Sequence, residues 1–174
     1  LSTFSKILAP GIRVGWVVAP PPVLRKMNLG KQAADLCSST FTQRFVTEYL
    51  KRYDYREHVA RVNTIYRSRR DTMLAALEAR FPESATWTRP RGGLFLWATL
   101  PDYIDTKHLQ AKALERQVAF VPGEGAFLDG RGRNSMRLNF SGVPESVITE
   151  GIGRLGDVVN EFISLHEALN PGRG

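Results

Sequence analysis

Cysteine is almost missing from this chain. Cys37 is the only one in 174 residues, so no disulfide can close within it, and a lone thiol fits a reducing compartment. No run approaches the roughly 20 consecutive apolar residues of a membrane span. The opening Leu1-Ser2-Thr3 lacks the charged-then-apolar order of a secretory signal. A cytoplasmic protein with no membrane partner is the expectation. Histidine is scarce as well: His58, His108 and His166 share no ligand spacing with one another or with Cys37, so they read as surface or helix residues and no metal site is expected. Acidic residues are in deficit, 17 against 24 Lys and Arg, for a formal net charge of +7. That surplus matches the electrostatic footprint of a nucleic-acid binder. The basic residues are spread along the chain, however, and no zinc spacing or helix-turn-helix pattern accompanies them, so no nucleic-acid partner is expected. The densest group, Arg61, Arg67, Arg69 and Arg70, shares a helical pattern with Glu57, Asp71 and Glu78 and reads as a solvated face. No internal repeat occurs. Gly130-Arg131-Gly132 and Gly151-Ile152-Gly153 lack the strand-turn-helix context of a dinucleotide site.

What is present is a globular composition, 43% hydrophobic, with clear changes of period along the chain. Arg13 to Ala19 is β-rich and stops at Pro20-Pro21-Pro22, which no central strand or helix interior accommodates. Pro22 opens a helix with an apolar face of Val23, Leu24 and Met27 that Gly30 interrupts. Ser38 to Gln43 reads as a loop, with Thr42 capping a helix that carries Phe45, Val46, Tyr49 and Leu50. Tyr55 to Phe81 has the longest helical periodicity and ends before Pro82. Two strands in hairpin order then flank Pro90-Arg91-Gly92, over Thr86–Arg89 and Gly93–Leu100, with Gly92-Gly93 assigned to close backbone packing. A helix over Thr106–Arg116, strands at Val118–Val121 and Ser135–Phe140, and a helix from Glu145 to Leu169 closed by Asn170-Pro171-Gly172 complete the order.

The densest chemistry lies at Thr3-Phe4-Ser5-Lys6-Ile7-Leu8-Ala9-Pro10-Gly11-Ile12-Arg13-Val14-Gly15. Two hydroxyls and an arginine there can hold a phosphate while a lysine keeps its amine free to attack a carbonyl. Those are the requirements of a pyridoxal-phosphate site. The segment resembles the Ser-x-Ser-Lys-x-x-x-Pro-Gly-x-Arg-x-Gly signature of the class I/II aminotransferases of fold type I, with Thr3 in place of the first serine. Pro90-Arg91-Gly92-Gly93-Leu94-Phe95-Leu96-Trp97 is similar to that family's glycine-marked strand. Val121-Pro122-Gly123 followed by Phe127 is similar to its next landmark, and Met136-Arg137-Leu138-Asn139-Phe140-Ser141 to its Arg-Leu-x-Phe segment. Four landmarks in the family's order span nearly the whole chain.

The resemblance implies an α/β fold: the carboxyl-terminal part of the fold type I transferase, with residues 1–60 as the trailing part of the three-layer large domain and 61–174 as an α+β small domain entered by a long linker helix. It implies pyridoxal 5'-phosphate as cofactor, with Lys6 catalytic and Thr3, Ser5, Lys6 and Arg13 binding it. Arg137 would grip the substrate α-carboxylate, the more so because a charge in an apolar strand needs a partner. Amino-acid and 2-oxo-acid substrates and a homodimer follow, with Ser38 to Gln43 similar to a loop that reaches the neighbouring subunit. The group containing 2-aminoadipate and broad-specificity aminotransferases is the most similar. In the family, the upstream half carries the aspartate facing the pyridine nitrogen, the aromatic stacked on the ring and a glycine-rich turn on the phosphate. None of these is matched in residues 1 to 174, so the isolated chain is expected to be inactive. Two alternatives stay open: the effector domain of a winged-helix transcriptional regulator, which shares the Lys6 segment, and a catalytically dead fragment.

Overall fold

The computed structural model describes residues 1–171, and the chain divides into two compact units, Leu1–Val62 and a second beginning at Asn63. In the first unit, β1 (Ser2–Thr3) pairs antiparallel with β2 (Gly15–Trp16), in the register Ser2↔Trp16 and Thr3↔Gly15. The strand is far shorter than the expected Arg13–Ala19. Arg13 adopts a left-handed backbone (φ 54°), which no strand permits, and β1 offers only two residues to pair with. Helix α1 (Pro21–Asp35) starts with prolines in its first turn, where their missing N–H costs nothing. It runs straight through Gly30 instead of stopping there. Glycine lowers helix propensity by about 1 kcal/mol but keeps its amide donor, so it weakens a helix without breaking it.

Helix α2 (Thr40–Arg52) replaces most of the expected Ser38–Gln43 loop. The cap is Ser39, whose Oγ accepts from the Thr42 amide at 3.4 Å, so Thr42 lies inside the first turn. Val46 is the one buried apolar residue of the described first unit, while Leu36, Phe41, Phe45 and Tyr53 are at least half exposed.

Helix α3 (Tyr55–Arg80) crosses the division between the units and ends where Pro82 follows. The second unit is built on a four-stranded antiparallel sheet in the order β3-β4-β6-β5, formed by β3 (Thr86–Trp87), β4 (Phe95–Thr99), β5 (Val121–Pro122) and β6 (Ser135–Asn139). Period-2 alternation sends Leu96, Ala98, Met136 and Leu138 into the core. There they meet Met73 and Leu77 of α3, Leu109 and Ala113 of α4 (Thr106–Glu115), and Ile152, Leu155, Val158 and Val159 of α5 (Glu145–Leu169). The strand expected from Val118 begins only at Val121, because Val118 donates back to the Ala113 carbonyl (2.9 Å) and Gln117 is left-handed (φ 61°). Helix α5 spans the expected residues. Gly172, the last residue of its expected stop, lies outside the described residues.

Two expectations about the turn and the arginine face need correcting. A Cβ at Gly92 or Gly93 would meet nothing within 4 Å, so close packing is not their role; Gly93 instead sits at φ 83°, a conformation that favours glycine. Nor do Arg69 and Arg70 lie on a solvated face. Arg69 Nη1 donates to the Ser141 carbonyl at 2.7 Å, and Arg70 Nη1 to the Pro90 carbonyl at 3.2 Å. No helix among the described residues is long and apolar enough to cross a membrane.

Candidate functional site

The segment from Thr3 to Arg13 folds back on itself through β1, a tight turn over Ser5–Leu8 and a 3-10 turn at Pro10–Ile12. The Val14 carbonyl closes the fold, accepting from the Phe4 amide (3.0 Å) and from Thr3 Oγ1 (3.1 Å). Thr3 Oγ1 in turn accepts from the Ser5 amide at 3.1 Å and lies 3.0 Å from Ser5 Oγ. The left-handed Arg13 ends the 3-10 turn, at a cost of about 1–2 kcal/mol for a residue with a Cβ. That backbone returns its side chain to the turn, where Nη1 donates to the Pro10 carbonyl at 2.9 Å and to Ser5 Oγ at 3.4 Å. Thr3, Ser5 and Arg13, separated by up to ten positions, are thus brought into one cluster.

The donors in this cluster are not exhausted. Ser5 Oγ accepts from Arg13 and, when Thr3 turns its single proton from the Val14 carbonyl to Ser5, keeps its own proton for a ligand. Arg13 is exposed and uses only Nη1 internally, so among the described residues Nε and Nη2 make no hydrogen bond. Lys6, within the same turn, is exposed, and among the described residues its ammonium makes no hydrogen bond or ion pair. Two hydroxyls and a guanidinium converging beside a free amine suit a phosphate ester that also carries an electrophilic carbon.

Arg137 belongs to the second unit, on β6. It is exposed, so the expected burial of its charge does not occur: Met136 and Leu138 point into the core and Arg137 takes the opposite face. Its guanidinium carbon instead lies 4.3 Å from the centroid of the Phe95 ring. Strand pairing sets Trp97 directly opposite Arg137 and Phe95 opposite Asn139, so Phe95 is the diagonal neighbour on the same face. Trp97 makes an edge contact with Phe127 (5.9 Å, 73°), and Arg131 lies 5.4 Å from the Phe127 ring. Sequence reasoning missed Phe95 as Arg137's partner, although the alternation Phe95-Leu96-Trp97-Ala98 carried the signal. Among the described residues no group of His, Cys, Asp and Glu could hold a metal ion.

The family model described as Aminotransferase class I and II matches residues 1–155. Aromatic-amino-acid aminotransferase 1 of Thermococcus litoralis is 48% identical over 161 residues, a match covering 92% of this chain and 39% of that protein. The crystal structure of the α-aminoadipate aminotransferase of Thermus thermophilus, complexed with N-(5'-phosphopyridoxyl)-L-leucine, superposes with a TM-score of 0.89 at 40% identity, covering 94% of this chain and 42% of that one. The HTH-type transcriptional regulator YdfD of Bacillus subtilis is 34% identical over 164 residues, 94% of this chain and 34% of the regulator. The chain spans about two fifths of the length of the first curated relatives it matches.

Proposed function

This chain belongs to the class I and II aminotransferases and carries part of their fold type I α/β architecture, and from that premise we propose that it serves a pyridoxal-phosphate-dependent transfer of an amino group from an α-amino acid to a 2-oxo acid. The observation that carries the proposal is the Thr3–Ser5–Arg13 cluster with the unpartnered Lys6 amine in the same turn. Its donor set fits the cofactor: Thr3, Ser5 and Arg13 would hold the phosphate, and Lys6 the aldehyde carbon. Pyridoxal phosphate, when bound, supplies the electron sink that makes a substrate Cα proton removable. Lys6 Nζ, once neutral, is the base placed to take that proton. Arg137 presents a planar fork to the α-carboxylate and so orients every donor by the group they share. We assign residues 1–60 to the cofactor-binding domain and 61–174 to the small domain.

Borohydride reduction of the cofactor-loaded protein, followed by peptide mapping, places the pyridoxyl adduct on Lys6. An adduct on Lys26 or Lys31 overturns the assignment. A homodimer is part of the proposal, supported by the exposed Phe41, Phe45 and Tyr53 of the first unit, and a cytoplasmic setting is supported by the exposed thiol of Cys37. A regulator's effector domain is the second reading, favoured by the 34% identity to YdfD. Turnover of an amino-acid donor and a 2-oxo acid by the intact protein separates the two.

A further inference from the structure

The second unit contains a cavity of about 210 Å³ whose walls carry three arginines and no carboxylate. Arg67 and Arg70 enter it from α3, together with Asn63 and Tyr66, while Arg91 comes from the glycine turn between β3 and β4. Arg137 is not among its walls, so the cavity is separate from the proposed carboxylate grip.

The three guanidiniums are not equivalent. Arg70 is held in place: Nε and Nη2 donate to Asp71 Oδ1 at 2.8 and 2.6 Å, Nη1 donates to the Pro90 carbonyl, and its charge is balanced. That last bond ties α3 to the segment carrying Arg91. Arg67 and Arg91, by contrast, make no hydrogen bond or ion pair among the described residues, and the Asn63 amide and Tyr66 hydroxyl are likewise unpartnered. Arg67 and Arg91 are both exposed at the rim of one concavity, so like charges meet and repel there, where an ion can enter from solvent. An anion between them removes that cost and satisfies their forks. A volume of this size admits an ion as small as phosphate and excludes a dinucleotide.

We propose that this cavity binds a small oxyanion, a phosphate or a compact carboxylate, between Arg67 and Arg91, with Asn63 and Tyr66 as further donors. The inference does not rest on the proposed transferase activity.

The test is titration calorimetry on the intact Arg137→Ala protein with its pyridoxal phosphate loaded, so that the cofactor's own phosphate cup is filled and the proposed carboxylate grip is removed. Inorganic phosphate and acetate are the two probes, at constant ionic strength in chloride. At least one of them binds, and R67Q/R91Q raises its dissociation constant tenfold or more while thermal unfolding stays that of the parent. R91K, which keeps the charge and loses the fork, falls between. Binding of phosphate alone, or of acetate alone, supports the site and identifies its oxyanion. Binding of neither, or binding undiminished in R67Q/R91Q, overturns the proposal.

Discussion

Removing the ring beneath Arg137 tests whether the open face of the second sheet is built to hold a guanidinium in one orientation. The Phe95 ring sits 4.3 Å from the guanidinium carbon, within the range where the ring quadrupole attracts a cation. A stacked guanidinium keeps its in-plane N–H groups free, and a carboxylate needs those edge donors. Because Arg137 is exposed, the contact is worth about 0.5–1 kcal/mol, the solvated end of the cation–π range. With Arg137 in its proposed role as the carboxylate grip, and at about 1.4 kcal/mol per factor of ten, Phe95→Leu raises KM roughly two- to fivefold. The increase applies alike to an aromatic, an acidic and an aliphatic donor, because the α-carboxylate is common to all, and kcat stays within about twofold. Phe95→Tyr keeps the ring and the parental KM. Arg137→Ala sets the ceiling, since loss of a charge-assisted pair worth about 1.5–3 kcal/mol raises KM by roughly 10- to 150-fold with cofactor absorbance retained. The measurement is steady-state transamination by the intact protein. Unchanged KM in a folded Phe95→Leu protein, or a Phe95→Tyr defect as large as that of Phe95→Leu, refutes the positioning role.

Two further predictions concern stability. Gly156 of α5 packs on the end of α3 so closely that a Cβ would lie 2.6 Å from the Arg80 carbonyl oxygen; Gly156→Ala therefore destabilises the second unit by about 1–3 kcal/mol, read as a lower urea midpoint, and an unchanged midpoint would show that α5 can shift away. Asp105 caps α4 by accepting from the Lys107 amide at 2.8 Å and from Arg133 at 2.8 Å, and the Arg133 hydrogen bond is the main cause holding its carboxyl below the ordinary value. Because the folded value is depressed, the stability Asp105 lends is complete above its unfolded pKa of about 3.9 and is lost as pH falls through the lower folded value. Thermal melts between pH 2 and 6 should show that loss in the parent and a flatter profile in Asp105→Asn; equal acid sensitivity in both would place the titration elsewhere.

What could be read from sequence follows from how far apart the interacting residues lie. The Thr3–Arg13 cluster closes within eleven positions, so the meeting of Thr3, Ser5 and Arg13 was legible from their spacing. The long helices were legible for a related reason, since α3 and α5 repeat their apolar residues over six or seven turns and end at proline or asparagine. Errors gathered where one residue decided a boundary. Arg13 took a left-handed backbone that its residue type does not advertise and cut a strand expected over seven residues to two. Ser39 and Thr42 are both competent caps, and the choice between them depends on where the chain turns after Leu36, itself at φ 58°. The carbonyl partners of Arg69 and Arg70, at Ser141 and Pro90, lie 72 and 20 positions away, beyond any local pattern, whereas the Phe95 ring under Arg137 could be reached only by pairing two strands correctly.

The same distinction separates the two units energetically. In the second, strands and helices bury each other, and 20 of its described residues form one continuous apolar core. In the first, local signals suffice to shape helices: prolines at the start of α1, Ser39 at the start of α2, a Lys31–Asp35 pair one turn apart. Signals of that kind each contribute about a kilocalorie or less, and isolated helices of 13 to 15 residues are marginal in water. Helices of this length persist in proteins chiefly by burying an apolar face. Yet Leu24, Met27, Phe41 and Phe45 remain 38–78% exposed, and α1 buries no residue at all. Those side chains are arranged for a contact that residues 1–62 do not supply to one another. The Thr3–Arg13 segment, the proposed phosphate cup, belongs to that same unit, so the rigidity of the proposed cofactor site depends on whatever surface covers α1 and α2.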